Sequence, residues 1–245
     1  MTNVRIFKFA SALLISCIFT WPVIVSSQED IKPNPTRPSA SDNAYLTHQG
    51  YTELEFGLAS RAKSWNLPLL LKLGFHENFE LGLSMSGLIE HTSEEYSLGD
   101  PGLQLKAQLF NQAWGAVAAV GRIEHINNTK PRYTVYGVAS LPLQIAHLDG
   151  TFGGVFTDQG TNGYAHSFTY AVFLSPNLKA PVTAYLEIFG EKAESSNPVS
   201  FDCGIFYPIS KKIVLDLSIT IGLNDDAEDW VIQVGFTTLL FKLLR

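Results

Sequence analysis

The stretch Phe79–Gly87 constrains this chain more than any other. Phe79, Leu81, Leu83 and Met85 share one parity, and Glu80, Gly82, Ser84 and Ser86 share the other. Neighbouring side chains on a strand point to opposite faces, so this stretch needs an apolar medium on one side and a wet one on the other. A water-soluble sheet meets that demand by turning its apolar face to a core. A membrane barrel meets it by turning the apolar face to lipid and the small polar face to a lumen.

The two-residue period runs on through most of the chain. It predicts strands at about 51–62, 65–76, 79–87, 101–111, 114–125, 132–144, 148–158, 165–174, 181–191, 199–208, 213–224 and 229–241. The faces of 132–144 and 148–158, rich in Tyr, Val, Phe and Gly, are not assigned by period. Connections after even strands are short, as at His76-Glu77-Asn78, Asn111-Gln112-Ala113, the His147-Leu148-Asp149 region, Ser175-Pro176-Asn177 and Ser210-Lys211-Lys212. Those after odd strands are mostly longer and polar, such as Glu90 to Asp100 and Glu191 to Pro198. An even strand count with short turns on one side and long loops on the other predicts an all-β fold, a closed antiparallel transmembrane β-barrel of about 12 strands over 50–245.

The charges decide between lipid and core. On the parities read as outward in the first four and last four strands, no charged residue lies mid-strand. A charge on the lipid face near the midplane costs about 2–4 kcal/mol, whereas a soluble sandwich places its charges on the outer face. The inward parities carry the candidate lumen-lining residues Glu53, Glu55, Lys72, Glu80, Lys106, Arg122, Glu124, Glu187, Asp202 and Asp216. With Gly, Ser and Thr between them, these predict a narrow wet lumen in which opposite charges on adjacent strands neutralise one another. Tyr51, Trp65, Phe75, Phe79, Trp114, Tyr133, Tyr207 and Trp230 near strand ends are expected to form interface girdles.

The ends set the destination. Arg5 and Lys8 precede an apolar run from Ser11 to Val25 that closes on small residues, which reads as a signal peptide over 1–27. An uncleaved anchor and lipidation at Cys17 are the other readings of this stretch. Removal leaves 15 basic against 23 acidic residues, a net charge of about −8 that argues against a nucleic-acid partner. Only Cys203 then remains, so no internal disulfide forms. Residues 28–49, with Pro33, Pro35 and Pro38, form a proline-rich periplasmic leader or a lumen plug, a plain linker being the simpler of the two.

Several short motifs together resemble a known family. They are Arg37-Pro38-Ser39, Gly50-Tyr51 with Glu53-Leu54-Glu55 and Gly57, Leu67-Pro68 with Leu71-Lys72-Leu73-Gly74, Phe79-Glu80-Leu81, and Leu98-Gly99-Asp100 before Leu103 and Lys106. Tyr185-Leu186-Glu187 with Phe189-Gly190, Asp202 with Gly204, Asp216, Gly222-Leu223-Asn224-Asp225, Asp229-Trp230 and Gly235-Phe236 continue the set. Over 37–236 the chain is similar to the outer-membrane barrels of the meta-pathway of phenol degradation, or "transporter", family. That resemblance implies a cell outer-membrane protein of a Gram-negative bacterium admitting small, aromatic or hydrophobic solutes. Where such barrels end on an aromatic residue read by the outer-membrane assembly machinery, Phe241 is followed here by Lys242-Leu243-Leu244-Arg245.

No catalytic constellation stands out. His166 and Ser167, with Asn162 nearby, are the one candidate for a lipid hydrolase, but adjacent strand residues face opposite ways. The histidines at 76, 91, 125 and 147 lack metal-ligand spacing, and Asn224-Asp225-Asp226 with Glu228-Asp229 reads as a solvated acidic loop before a cation site. The expected partners are therefore a lipid bilayer and a small-molecule solute, with no enzyme activity, metal or cofactor. A passive channel is the leading function, and a non-conducting structural or surface-binding barrel the alternative.

Overall fold

In the computed structural model the described residues are 31–92, 95–125, 131–160, 163–178 and 180–244, so the stretch 1–27, expected to be a signal peptide, lies outside them. The strands are β1 (Tyr51–Arg61), β2 (Ser64–Asn66), β3 (Leu69–His76), β4 (Phe79–Met85), β5 (Glu90–Thr92), β6 (Glu95–Ser97), β7 (Pro101–Gln112), β8 (Gly115–Glu124), β9 (Arg132–Pro142), β10 (Ala146–Asp158), β11 (Tyr164–Pro176), β12 (Thr183–Lys192), β13 (Val199–Pro208), β14 (Ile213–Gly222) and β15 (Trp230–Lys242). Twelve of them pair antiparallel with sequence neighbours, and β15 returns to β1 to close a barrel. The closing seam runs from Glu53 opposite Leu239 to Arg61 opposite Val231. Closure satisfies every strand edge, which a sheet in hydrocarbon requires.

The stretch predicted as one strand over 65–76 is broken at Leu67-Pro68. Proline has no N–H for the ladder, so β2 and β3 pair separately with the two ends of β1. On the loop side β2 continues into β5 and β6, a flap in which Trp65, His91 and Tyr96 pack ring to ring.

Burial follows the two-residue period around the wall. Glu53 and Glu55 are 1 % exposed while Leu54 and Phe56, on the other parity, face outward. The unassigned strands resolve the same way. Thr134, Tyr136, Val138 and Ser140 of β9, and Asp149, Thr151 and Val155 of β10, turn inward. Outward positions between the strand ends carry no Asp, Glu, Lys or Arg, and leucine, isoleucine and valine dominate them. Phe75, Phe79, Trp114 and Tyr207 are exposed near the turn side and Trp230 near the loop side. Tyr51 departs from the expected girdle. It is 7 % exposed, stacked on His48 beneath Lys242.

The lumen is neither empty nor uniformly polar. Ala116, Ala118, Val120, Tyr136 and Val138 turn inward and pack with Ala44, which lies outside any strand. This corrects the expectation of an interior made only of small polar residues and paired charges. The apolar patch has a partner to cover it, because residues 31–50 lie inside the barrel and not alongside it as a linker.

Candidate functional site: a charged lumen and the segment inside it

The path of residues 31–50 follows from their hydrogen bonds. The amide N–H of Asn34 donates to Glu53 at 2.7 Å, and that of Thr36 to Glu55 at 2.8 Å. Two residues on the segment thus match two residues on β1, so this arm climbs beside the inward face of the strand. Pro33 and Pro35 occupy the intervening positions, where an N–H would have no acceptor. At the top Arg37 reaches the seam. Its Nη1 donates to the Phe56 carbonyl at 2.8 Å and lies 3.6 Å from the Asp216 carboxylate. The guanidinium sits over Gly57 and Gly235, which face each other across the seam, and a methyl group on either would overlap it.

The chain then crosses and descends. Ala40 and Ser41 donate their N–H groups to the two oxygens of Glu187 at 2.8 and 2.6 Å. Asp42 accepts from Lys106 Nζ at 2.8 Å, Ala44 N–H donates to Ser140 at 2.8 Å, and Thr47 N–H donates to Glu80 at 2.6 Å. Gly50 N–H reaches the Gly74 carbonyl at 2.6 Å, where the segment leaves the lumen for β1.

Eight of the ten candidate lumen residues are enclosed in this way. Lys72 is the hub. It pairs with Glu53 and with Glu55, the latter at 2.6 Å, and donates to the Asn34 carbonyl at 2.5 Å. Asp202 accepts from Tyr185 at 2.6 Å and Thr220 at 3.0 Å, both from the wall itself. Arg122 and Glu124 differ. They stay about a third exposed near the loop-side mouth, with Arg122 donating to Gln104 at 2.7 Å. Desolvating an ion costs several kcal/mol unless partners replace its water, so the segment and the enclosed charges are mutually dependent.

The balance of those charges differs from the paired arrangement expected. Among the described residues the buried wall charges are seven carboxylates (Glu53, Glu55, Glu80, Asp149, Glu187, Asp202 and Asp216) against Lys72 and Lys106. Main-chain N–H groups of the segment meet Glu53, Glu55, Glu80 and Glu187, wall hydroxyls meet Asp149 and Asp202, and Arg37 lies beside Asp216. Asp216 accepts no hydrogen bond on either oxygen, nor does Glu80 on Oε1.

Several residues of this site are missing from the candidates drawn from the sequence. Asp149 lies within β10 and not in a turn, held by Ser140 and by His147 at 3.0 Å. Phe173, Tyr185 and Phe206 turn inward and form a row, with centroids 4.8 and 5.4 Å apart. Phe173 and Phe206 border a cavity of about 710 Å³ that lies between the segment and the turn-side ends of β10–β14 and also touches Tyr45, Asp149 and Val214. Burial, reinforced by Asp149, holds the Tyr45 phenol above its ordinary value, so it is protonated at neutral pH.

Other candidates are not brought together. His166 lies against Phe156 on the outer face while Ser167 donates to Glu191 at 2.5 Å, so the pair cannot act as base and nucleophile. In the acidic loop Asn224 and Asp226 accept from the main chain of Val199 and Asn197. No group of metal-ligating side chains occurs among the described residues.

No protein-family model matches this chain, and no curated protein matches it. Among solved structures it is similar to the NanC porin, with a TM-score of 0.60 at 8% identity, over 76% of this chain and 98% of that one. It is similar to the KdgM porin, with a TM-score of 0.59 at 10% identity, over 76% and 98%. At such identities the likeness shows the fold, a porin-like twelve-stranded barrel.

Proposed function

We propose that the chain is an outer-membrane channel through which small solutes pass down their gradient, and that residues 31–50 occupy its turn-side half at rest. The observation that carries this reading is a closed wall whose outer face bears no charge between strand ends and whose inner face is charged and hydrogen-bonding. Hydrocarbon outside and polar solute inside account for both faces at once. The porin-like fold supports it, and twelve strands imply a passage narrower than that of sixteen-stranded porins. Short turns mark the periplasmic side of such barrels, so the segment enters from the periplasm. The inward row Phe173–Tyr185–Phe206 favours solutes with an apolar or aromatic part.

The filled lumen also supports a second reading, a structural or surface-binding barrel that never conducts. Planar-bilayer recording separates the two. The full chain is expected to give little steady current and a variant lacking residues 31–49 to give discrete open steps. Absence of current and of solute flux from both, with folding verified, overturns the channel.

A further inference from the structure

Glu187 and Asp202 face each other on one rung of β12 and β13, and Phe173 lies opposite Glu187 on the next strand. Tyr185, 1 % exposed, completes the group with its ring stacked on Phe173 and its hydroxyl on Asp202. Two carboxylates and two aromatic faces thus converge on one point of the lumen. What occupies that point now is a pair of N–H donors, Ala40 and Ser41, both directed at Glu187. The same holds along the wall, where Glu53, Glu55 and Glu80 each receive an N–H from the segment. The segment's one acid in this region, Asp42, goes instead to Lys106.

We propose that Glu187, Asp202, Phe173 and Tyr185 form a binding site for the ammonium group of a small organic cation, for which residues 40–41 are the resident stand-in. The inference deepens the channel reading and rests on it for the transport part alone. A carboxylate pair attracts the charge, and ring faces attract a desolvated cation where they would repel an anion. The surplus of five buried wall carboxylates over lysines sets the same preference through the rest of the passage. The cavity beside Phe173 and Phe206 receives the apolar body of such a solute. Asp216, which among the described residues pairs with Arg37 at 3.6 Å, is a second point for a cation once Arg37 withdraws.

Benzylammonium and benzoate test this, being alike in size and ring and opposite in charge. In the variant lacking residues 31–49, benzylammonium is expected to permeate at least about tenfold faster than benzoate, and Glu187→Gln to reduce that preference. The same comparison on full-length Gly57→Ala, whose methyl displaces the Arg37 guanidinium, covers the case in which the shortened chain does not fold. Equal or faster passage of benzoate overturns the proposal. If neither solute crosses, the channel reading fails, and binding to the detergent-folded variant decides this inference. A benzylammonium-dependent rise in Tm that Glu187→Gln abolishes sustains it, and the same rise with benzoate, or none, overturns it.

Discussion

The turn-side and loop-side halves of the lumen use the same inward strand positions, yet they hold their charges under different conditions. Lys72 and Lys106 have side chains 0% exposed, whereas Arg132 and Glu191, beyond the reach of residues 31–50, keep 33% and 35%. The difference shows that the wall alone makes a wet interior and that an added piece of chain makes a dry one. Removing one member of an enclosed pair strands a buried charge, while removing one member of a hydrated pair exposes its partner to water.

The largest effect that sharpens this contrast is expected from Lys72→Ala. It leaves Glu53 and Glu55 enclosed without their cation, and denaturant unfolding in detergent should show a loss of about 3–5 kcal/mol. A loss as small as that of a hydrated pair would break the comparison. Tyr185→Phe removes one of two hydroxyl donors to Asp202 and is expected to cost about 1.5–3 kcal/mol by the same measurement. Arg132→Ala, which removes the cation beside Glu191 at the loop-side mouth, should cost no more than about 1 kcal/mol, and less as salt is added. Gly57→Ala should alter unfolding least, since its methyl meets the end of a flexible side chain. It should instead speed hydrogen exchange of the Asn34, Thr36 and Ser41 amides, because the segment loses its anchor at the seam while the wall keeps its ladder.

The strand pattern was readable because a closed wall with an apolar outer face and a polar inner face imposes it on side chains. Leu215, Leu217, Ile219 and Ile221 against Asp216, Ser218 and Thr220 leave no other face for either set. The break at Pro68 and the early start of β10 were less visible, since a single proline or one extra rung barely changes the period. The segment was hidden for a physical reason. Much of its grip on the wall is made by main-chain N–H groups, which every residue but proline carries, so Asn34 and Thr36 look like any linker residues. The signal was present only jointly, in the alternation Pro33-Asn34-Pro35-Thr36 and in the excess of inward acids over inward bases. Phe173 and Phe206 were hidden because outward and inward aromatics share the same strands. Cys203 and Phe201, outward, flank the inward Asp202 in β13, just as Phe206 lies inward between Ile205 and Tyr207.

The perch of Arg37 across Gly57 and Gly235 exists only where the first and last strands meet. Until those strands join, the floor beneath the guanidinium is two separate ribbons, and neither offers Phe56 carbonyl and Asp216 together. The Arg37 anchor is therefore completed only once the wall has closed, whereas the contacts of Asn34 and Thr36 need β1 alone.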